Sequence, residues 1–404
     1  ECVIYGLLFV AITMIIVMGG VGGGIEKVCS VGMPALFILL VIFTGIIAVN
    51  EHAGTPQLAD GGAVNIEMTD GQAGGNIGQL FEDRGFNVLY INTSQEDLDT
   101  LEHAKYKYHI PGGEGCNKNR RKAKQLVIDD FDRIAAEIET KIKADLTFVI
   151  FASGGGTGSG AGPMLIDLLI DEGRAIGAIT IVPGQNESVK AHINSYDCFS
   201  ELTEIAGTAA CFILDNDRAE KLSINTSFVD DFCSFLEVPE KHKSVKGNID
   251  KAEIMETLSA HGMALVTSRK AQNSAETIKA IQDNPYAPIE GDRAVKYITA
   301  SLSDGVTMPE LEKAIGTPID TFQTFNDEGI TICCISGLTY PQSRLDIVYK
   351  KVDENKEVIE KNLTATRETR MKKSINFLDD LESPKKAAEA PKPKSKRDIM
   401  SKYL

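Results

Sequence analysis

Apolar positions along the chain fall into distinct regimes. Two uninterrupted apolar runs, Val3–Met18 and Val31–Val49, occupy the first fifty residues without a charge in either. Farther on, short apolar runs alternate with stretches of helical period. Phe86–Ser94, Leu146–Ala152, Ala175–Pro183 and Ala209–Arg218 read as buried strands, and Lys124–Lys143 carries apolar residues at 127, 128, 131, 134, 135 and 138, a helical spacing. Strands that are apolar throughout belong to a sheet covered on both faces. This alternation predicts an α/β fold with a mostly parallel, doubly wound sheet whose ligands sit at the carboxyl ends of the strands.

The later pattern changes. Asn225–Leu236 repeats Phe228, Phe232, Phe235 and Leu236 at i, i+4, i+7 and i+8, a helix with a core-facing stripe. Met263–Ser268, Tyr297–Leu302 and Ile330–Leu338 read as strands, with helices at Ala275–Gln282 and Pro309–Ile315. That mixture predicts a smaller α+β unit. Arg344–Lys373 reads as a long charged surface helix, and beyond Phe377 the composition shifts to Pro, Lys, Ala and Glu, a disordered linker.

The apolar start does not fit the rest. At 1.5 Å per residue the second run spans about 28 Å as a helix, near the thickness of a hydrocarbon core. It lacks the basic start and small-residue cleavage site of a secretory signal. Gly24–Ile42 (G-I-E-K-V-C-S-V-G-M-P-A-L-F-I-L-L-V-I) resembles an internal membrane helix of the sodium:neurotransmitter symporter family, over the first fifty or so residues only. The broken helices of such transporters are absent, so transport is not expected. The expectation is a chimera, a fragment of one reading frame joined to another protein near Asn50–Met68. A natural membrane anchor is the alternative, and the chain meets a membrane only if residues 1–50 are genuine.

The net charge of −15 over 404 residues argues against strong direct DNA binding by the body of the protein. Its eight cysteines form no C-x-x-C pair and no zinc spacing, which predicts buried free thiols in a reducing, cytoplasmic setting.

The candidate chemistry centres on Ser153–Gly160, S-G-G-G-T-G-S-G, between the strand ending at Ala152 and a helix with Pro163 near its first turn. Strand, glycine turn and helix start build a nest of backbone N–H groups at the positive end of a helix dipole. A Cβ would block both the backbone angles and the approach of an anion. Gly154, Gly155, Gly156, Thr157, Gly158 and Ser159 are therefore predicted to cradle a di- or triphosphate, with hydroxyl donors from Thr157 and Ser159. No lysine follows as in a Walker A loop, and the turn comes too late for a dinucleotide fingerprint.

The string G-G-G-T-G-S-G resembles the signature of the tubulin/FtsZ superfamily of GTPases. Gly71–Ile77 (G-Q-A-G-G-N-I) is similar to that superfamily's first nucleotide loop, which places Gly71, Gln72, Gly74, Gly75 and Asn76 under the phosphates. The strand before it, V-N-I-E-M-T, is weakly apolar, and Asp70 adds a negative charge, so a damaged first strand and reduced affinity are expected. I-N-T-S at Ile91–Ser94 resembles an FtsZ-like I-N-T-D and implies that Asn92, Thr93 and Ser94 lie near the phosphates. Tyr90–Lys105 and His109–Ala123 look more like the TubZ group of plasmid and phage partition GTPases than like division FtsZ. In that likeness Gly112–Asn117, with Gly113, senses the γ-phosphate, while the basic run Lys118–Lys122 reads as a solvated face. Glu187 stands where the family contacts ribose. Asn216, in D-N-D-R, reads the guanine edge, since an amide offers donor and acceptor together. Phe228 is a candidate to stack on the base.

Gly247–Ile254 (G-N-I-D-K-A-E-I) resembles the superfamily's catalytic loop. Alone, Asp250 and Glu253 at a helix start read as a capping box. The resemblance makes them catalytic, oriented by Asn248, and acting on GTP bound to the next subunit of a head-to-tail filament, with Mg²⁺ as cofactor and GDP as product. The implied organisation is a membrane-helix-like segment over 1–50, a junction over 51–67, a GTP-binding domain over 68–222, a central helix over 223–246, an α+β domain over 247–350, a helix over 351–376 and a basic tail over 377–404. Residues 385–404 resemble tails that engage a DNA-bound adaptor. The resulting expectation is a GTP-dependent filament that segregates plasmid or phage DNA. The alternatives are an FtsZ-like division GTPase, a non-polymerising nucleotide-binding module, or a transporter fragment.

Overall fold

Ten strands in the order β3-β2-β1-β4-β5-β6-β7-β10-β8-β9 form the sheet around which the chain folds in the computed structural model. The structure describes residues 64–69, 71–290 and 294–369, and individual side chains within 74–290 and 294–361. All fall in one unit, Pro56–Leu404. The two apolar runs, most of the junction and the basic tail lie outside the described residues. Among those described, no helix is long and apolar enough to cross a membrane.

The elements in chain order are β1 (Val64–Thr69), α1 (Gly71–Glu82), β2 (Val88–Asn92), α2 (Gln95–Asp99), β3 (Tyr106–His109), α3 (Arg120–Lys141), β4 (Leu146–Ala152), α4 (Thr157–Asp171), β5 (Ile176–Val182), α5 (Val189–Leu202) and β6 (Ala210–Asp215). Then come α6 (Lys221–Leu236), α7 (Val238–Lys241), α8 (Lys251–Ser259), β7 (Gly262–Lys270), α9 (Ser274–Gln282), β8 (Tyr297–Leu302), α10 (Met308–Ile315), β9 (Asp320–Phe325), β10 (Ile330–Leu338) and α11 (Gln342–Thr369). Strands β1 to β7 are mutually parallel, and β10 runs antiparallel to β7 and β8. The order 3-2-1-4-5-6 reverses between β1 and β4, the place where doubly wound sheets open a crevice at the strand ends.

Phe148 and Phe151, three residues apart on β4, face opposite sides of the sheet. Phe148 meets Phe212 and, on α6, Phe232, at centroid distances of 5.8 and 5.6 Å. Phe151 lies under Gly162 of α4, where a Cβ would come within 2.8 Å of its ring. The weak strand Val64–Thr69 forms nonetheless, paired in parallel with β2 on one side and β4 on the other, with a register shift between Glu67 and Thr69. Backbone pairing on both edges makes a strand from a segment whose own pattern is poor. β9 and β3 are additional edge strands that apolar patterning does not mark.

Two helices begin earlier than their sequences suggest. The first glycine cluster, Gly71–Ile77, likened to a nucleotide loop, is itself the opening of α1. In the cradle, only Ser153–Gly156 is turn, and α4 starts at Thr157, which puts Pro163 inside the helix. A proline there has no N–H for the carbonyl four residues back, Ser159 O. Arg120 supplies the missing donors, with Nε at 3.2 Å and Nη2 at 2.9 Å from that oxygen.

Candidate functional site

A cavity of about 500 Å³ opens at the carboxyl ends of β2, β4, β5 and β6. Its walls include Asn92 and Ser94 after β2, Gly154–Thr157 after β4, Pro183 and Glu187 after β5, and Asn216 after β6. Residues scattered over more than a hundred positions are thus brought together as the sequence motifs imply.

The cradle carries features of an anion site. Among the described residues, the N–H groups of Gly154 and Gly156 donate to no acceptor. The carbonyl of Gly155 is turned outward, accepting from Ser159 Oγ at 2.7 Å and Asn194 Nδ2 at 2.6 Å. A Cβ on Gly156 would lie 2.8 Å from Lys118 N, and one on Gly154 would press on Ala191 and Pro183 at 3.2–3.3 Å. Backbone donors packed this closely and left unpaired suit phosphate oxygens.

Several predicted residues support the wall without lining it. Thr93 is buried, its hydroxyl 2.7 Å from Thr157 Oγ1 and 3.4 Å from Cys116 Sγ. Gly113 packs beneath it, where a Cβ would fall 2.4 Å from Thr93 O. Ser159, expected to offer its hydroxyl to the ligand, spends it on Gly155 O because α4 begins before it. Gly158 lies inside α4 away from the lining. Gly74, Gly75 and Asn76 also fall outside the lining, with Gly75 against Leu101, while Gly71 and Gln72 are in the first turn of α1. That turn follows β1, whose Thr69 pairs with Ile150, so its N-terminus opens on the same sheet edge as the cradle.

The expectation that Phe228 stacks on a base is corrected. Phe228 is 1% exposed and packs among Phe81, Phe212, Phe232 and Tyr286 at centroid distances of 5.4–6.4 Å. Four aromatic neighbours bury the ring in the core beneath the sheet, where it has no face left for a ligand.

Also in the lining, Glu187 accepts from Lys221 Nζ at 3.1 Å, Gly184 N at 3.2 Å and Asn216 Nδ2 at 3.4 Å. Burial alone would raise its pKa, but the Lys221 ammonium and the two N–H donors outweigh it and hold the carboxyl below its ordinary value. The loops around it are tied to the last helix. Arg344 at the start of α11 donates to Asp215, Asp217 and Pro183 O at 2.7–2.8 Å.

Asp250 and Glu253 lie outside this lining, at the start of α8. Asp250 Oδ1 accepts from Glu253 N at 3.0 Å and Glu253 Oε2 from Asp250 N at 2.8 Å, a complete capping box. Asn248 is exposed just before it. The 16 residues of α6, about 24 Å of helix, separate the cavity residue Lys221 from that region.

Sequence reasoning missed Asp97, Lys118, Asn194, Lys221 and Arg344. Lys118 lies in the basic run assigned to a solvated face, yet it lines the cavity, while Arg120 of the same run turns inward to Ser159 O and to Glu201 at 2.6 Å. Asn117 and Lys118 are the only non-glycine residues with positive φ among those described, at 44° and 57°. Left-handed backbone costs such residues roughly 1–2 kcal/mol each. Among the described residues no cluster of three His, Cys, Asp or Glu could hold a metal. Mg²⁺ needs less, often one carboxylate beside substrate phosphates, and Asp97 with Ser94 in the lining suits that role.

Residues 49–223 match the model of the Tubulin/FtsZ family, GTPase domain. The tubulin-like protein TubZ of Clostridium botulinum C phage is 29% identical over 307 residues, covering 72% of this chain and 85% of that protein. The structure of Clostridium botulinum phage c-st TubZ with its C-terminal tail truncated has a TM-score of 0.65 at 26% identity, over 73% of this chain and 98% of that one. A GTPγS-form protofilament of Bacillus thuringiensis serovar israelensis TubZ shares the fold, with a TM-score of 0.64 at 14% identity over 78% of this chain and 97% of that one. Together with the cradle geometry, these likenesses mean that the chain carries, over residues 49–223, a GTPase domain of the Tubulin/FtsZ family.

Proposed function

We propose that this protein is a TubZ-like cytoskeletal GTPase that assembles head to tail and hydrolyses GTP at the contact between subunits. The observation that carries this reading is the division of the machinery. The cavity supplies backbone donors, Asn216 and Glu187, while the acidic pair of exposed Asp250 and half-buried Glu253 lies outside it. Of the carboxylates that do line the cavity, Glu187 is paired with Lys221 and Asp97 stands beside Ser94, where it suits a cation rather than the attacking water. The Bacillus thuringiensis relative forms a GTPγS-form protofilament. A heterologous contact that does not close would bring the pair of one subunit to the cavity of the next.

In that contact Asp250 and Glu253 position and polarise the attacking water, and Asn248 orients their loop. The unpaired N–H groups of Gly154 and Gly156 stabilise charge on the phosphoryl oxygens. Asn216 reads the base and Glu187 the ribose. Mg²⁺, when bound, neutralises phosphate charge, and Asp97 and Ser94 are the residues that would hold it. The cellular role proposed is segregation of plasmid or phage DNA in the cytoplasm, with residues 385–404 engaging a DNA-bound adaptor.

The capping box dictates the choice of variants. Asp250→Ala removes an N-cap worth about 1 kcal/mol, whereas Asp250→Asn and Glu253→Gln keep acceptors for both bonds. Both amide variants are expected to bind GTP and to pellet with GTP but not GDP, while phosphate release falls at least about a hundredfold. Normal turnover in both overturns the catalytic assignment, and failure of the wild type to sediment with GTP overturns the filament.

A further inference from the structure

Helix α5 reaches two walls of the cavity, and one side chain touches both. Asn194 is 5% exposed, and its Nδ2 donates to Gly155 O at 2.6 Å and to Lys118 O at 3.2 Å. A carboxamide nitrogen carries two hydrogens, so both bonds form together.

The consequence follows from the planarity of the peptide. In a trans peptide the C=O and the next residue's N–H point in opposite directions. Holding Gly155 O against α5 therefore turns the Gly156 N–H away from α5. One helical turn back, Lys190 Nζ accepts nothing and donates to Asn117 O at 3.0 Å, which in the same way directs the Lys118 N–H. The two backbones lie against each other, since a Cβ on Gly156 would fall 2.8 Å from Lys118 N. Neither N–H has an acceptor among the described residues, and both residues line the cavity.

The same two bonds restrain the left-handed Asn117–Lys118 turn, which non-glycine residues hold only when their surroundings impose it. The ammonium of Lys118 completes the corner. It donates to a neutral group, Ser188 Oγ, at 2.8 Å, whereas Lys221, the other cation in the lining, is already paired with Glu187. A nucleoside triphosphate differs from the diphosphate by one phosphoryl group and its negative charge, and Lys118 offers such a charge an ammonium not paired with a carboxylate.

We propose that Asn194 is a positioning residue that locks the Asn117–Lys118 turn onto the Gly155–Gly156 cradle and so sets the preference of the site for triphosphate over diphosphate. The inference rests on the reading of this cavity as a GTP site. Its test is to measure equilibrium dissociation constants for GTPγS and for GDP with the full chain, comparing wild type, Asn194→Ala and Lys190→Met. Loss of the Asn194 bonds is expected to weaken GTPγS binding about tenfold and GDP binding less than about threefold. Lys190 is exposed, so Lys190→Met keeps the fold and moves the ratio in the same direction by about threefold. A GTPγS to GDP ratio unchanged in every variant that folds, or an equal loss for both nucleotides, overturns the proposal. A wild type that binds neither nucleotide overturns the underlying GTP reading instead.

Discussion

Arg120 donates through Nε and Nη2 to the carbonyl of Ser159, the oxygen that Pro163 leaves without a helical donor. The cradle helix therefore owes part of its first turns to a side chain on another helix. Removing Arg120 orphans a buried acceptor, and Arg120→Met is expected to cost roughly 2–3 kcal/mol by urea denaturation. Pro163→Ala restores the missing N–H. In that background the same Arg120→Met change is expected to cost about 1 kcal/mol less, the remainder reflecting the Glu201 ion pair. Equal costs in the two backgrounds contradict the relationship.

Arg344 is buried with Asp215, at 4% and 2% side-chain exposure, while Asp217 is a quarter exposed. Breaking a buried pair leaves an uncompensated charge, so Arg344→Met is expected to lose about 3–5 kcal/mol of stability. Asp217→Asn, beside water, is expected to lose less than about 1 kcal/mol. Chemical denaturation of the two variants checks the order. A loss for Asp217→Asn as large as that for Arg344→Met would show that the clamp is not centred on Asp215.

The depressed pKa of Glu187 sets a pH dependence with a definite sign. Burial opposes the shift, and Lys221 with the Gly184 and Asn216 N–H donors overcomes it. A carboxyl whose folded pKa lies below its unfolded value, about 4.3, contributes stability that is fully present above that value. The contribution is lost as pH falls through the folded pKa. Wild type and Glu187→Gln are therefore expected to differ by a constant amount in urea midpoint between pH 5 and 8, and to converge only on acidification below about pH 4. Convergence near neutral pH rules out this origin of the shift.

Sequence by itself determined the parallel sheet and the cradle. Fully apolar runs such as Phe148–Phe151, and a glycine string between strand and helix, constrain their own backbone through local sterics and burial, so both could be read in order along the chain. The same holds for Asn92, Glu187 and Asn216, which a doubly wound topology must gather at one sheet edge because each ends a parallel strand or lies in the loop that follows one. Tertiary structure decided the rest. Phe228, in a stripe whose spacing reads as core, stays a candidate for base stacking until Phe81 and Tyr286 are seen to surround it. Lys118 and Arg120, two apart in one basic run, part ways, because Ser159 O draws the arginine inward and α5 holds the lysine at the cavity. Asn194 carries no local signal, since its two partners are carbonyls on distant segments. Such hydrogen bonds and ion pairs exist only after the chain has folded back on itself, and no spacing of residues along the chain records them.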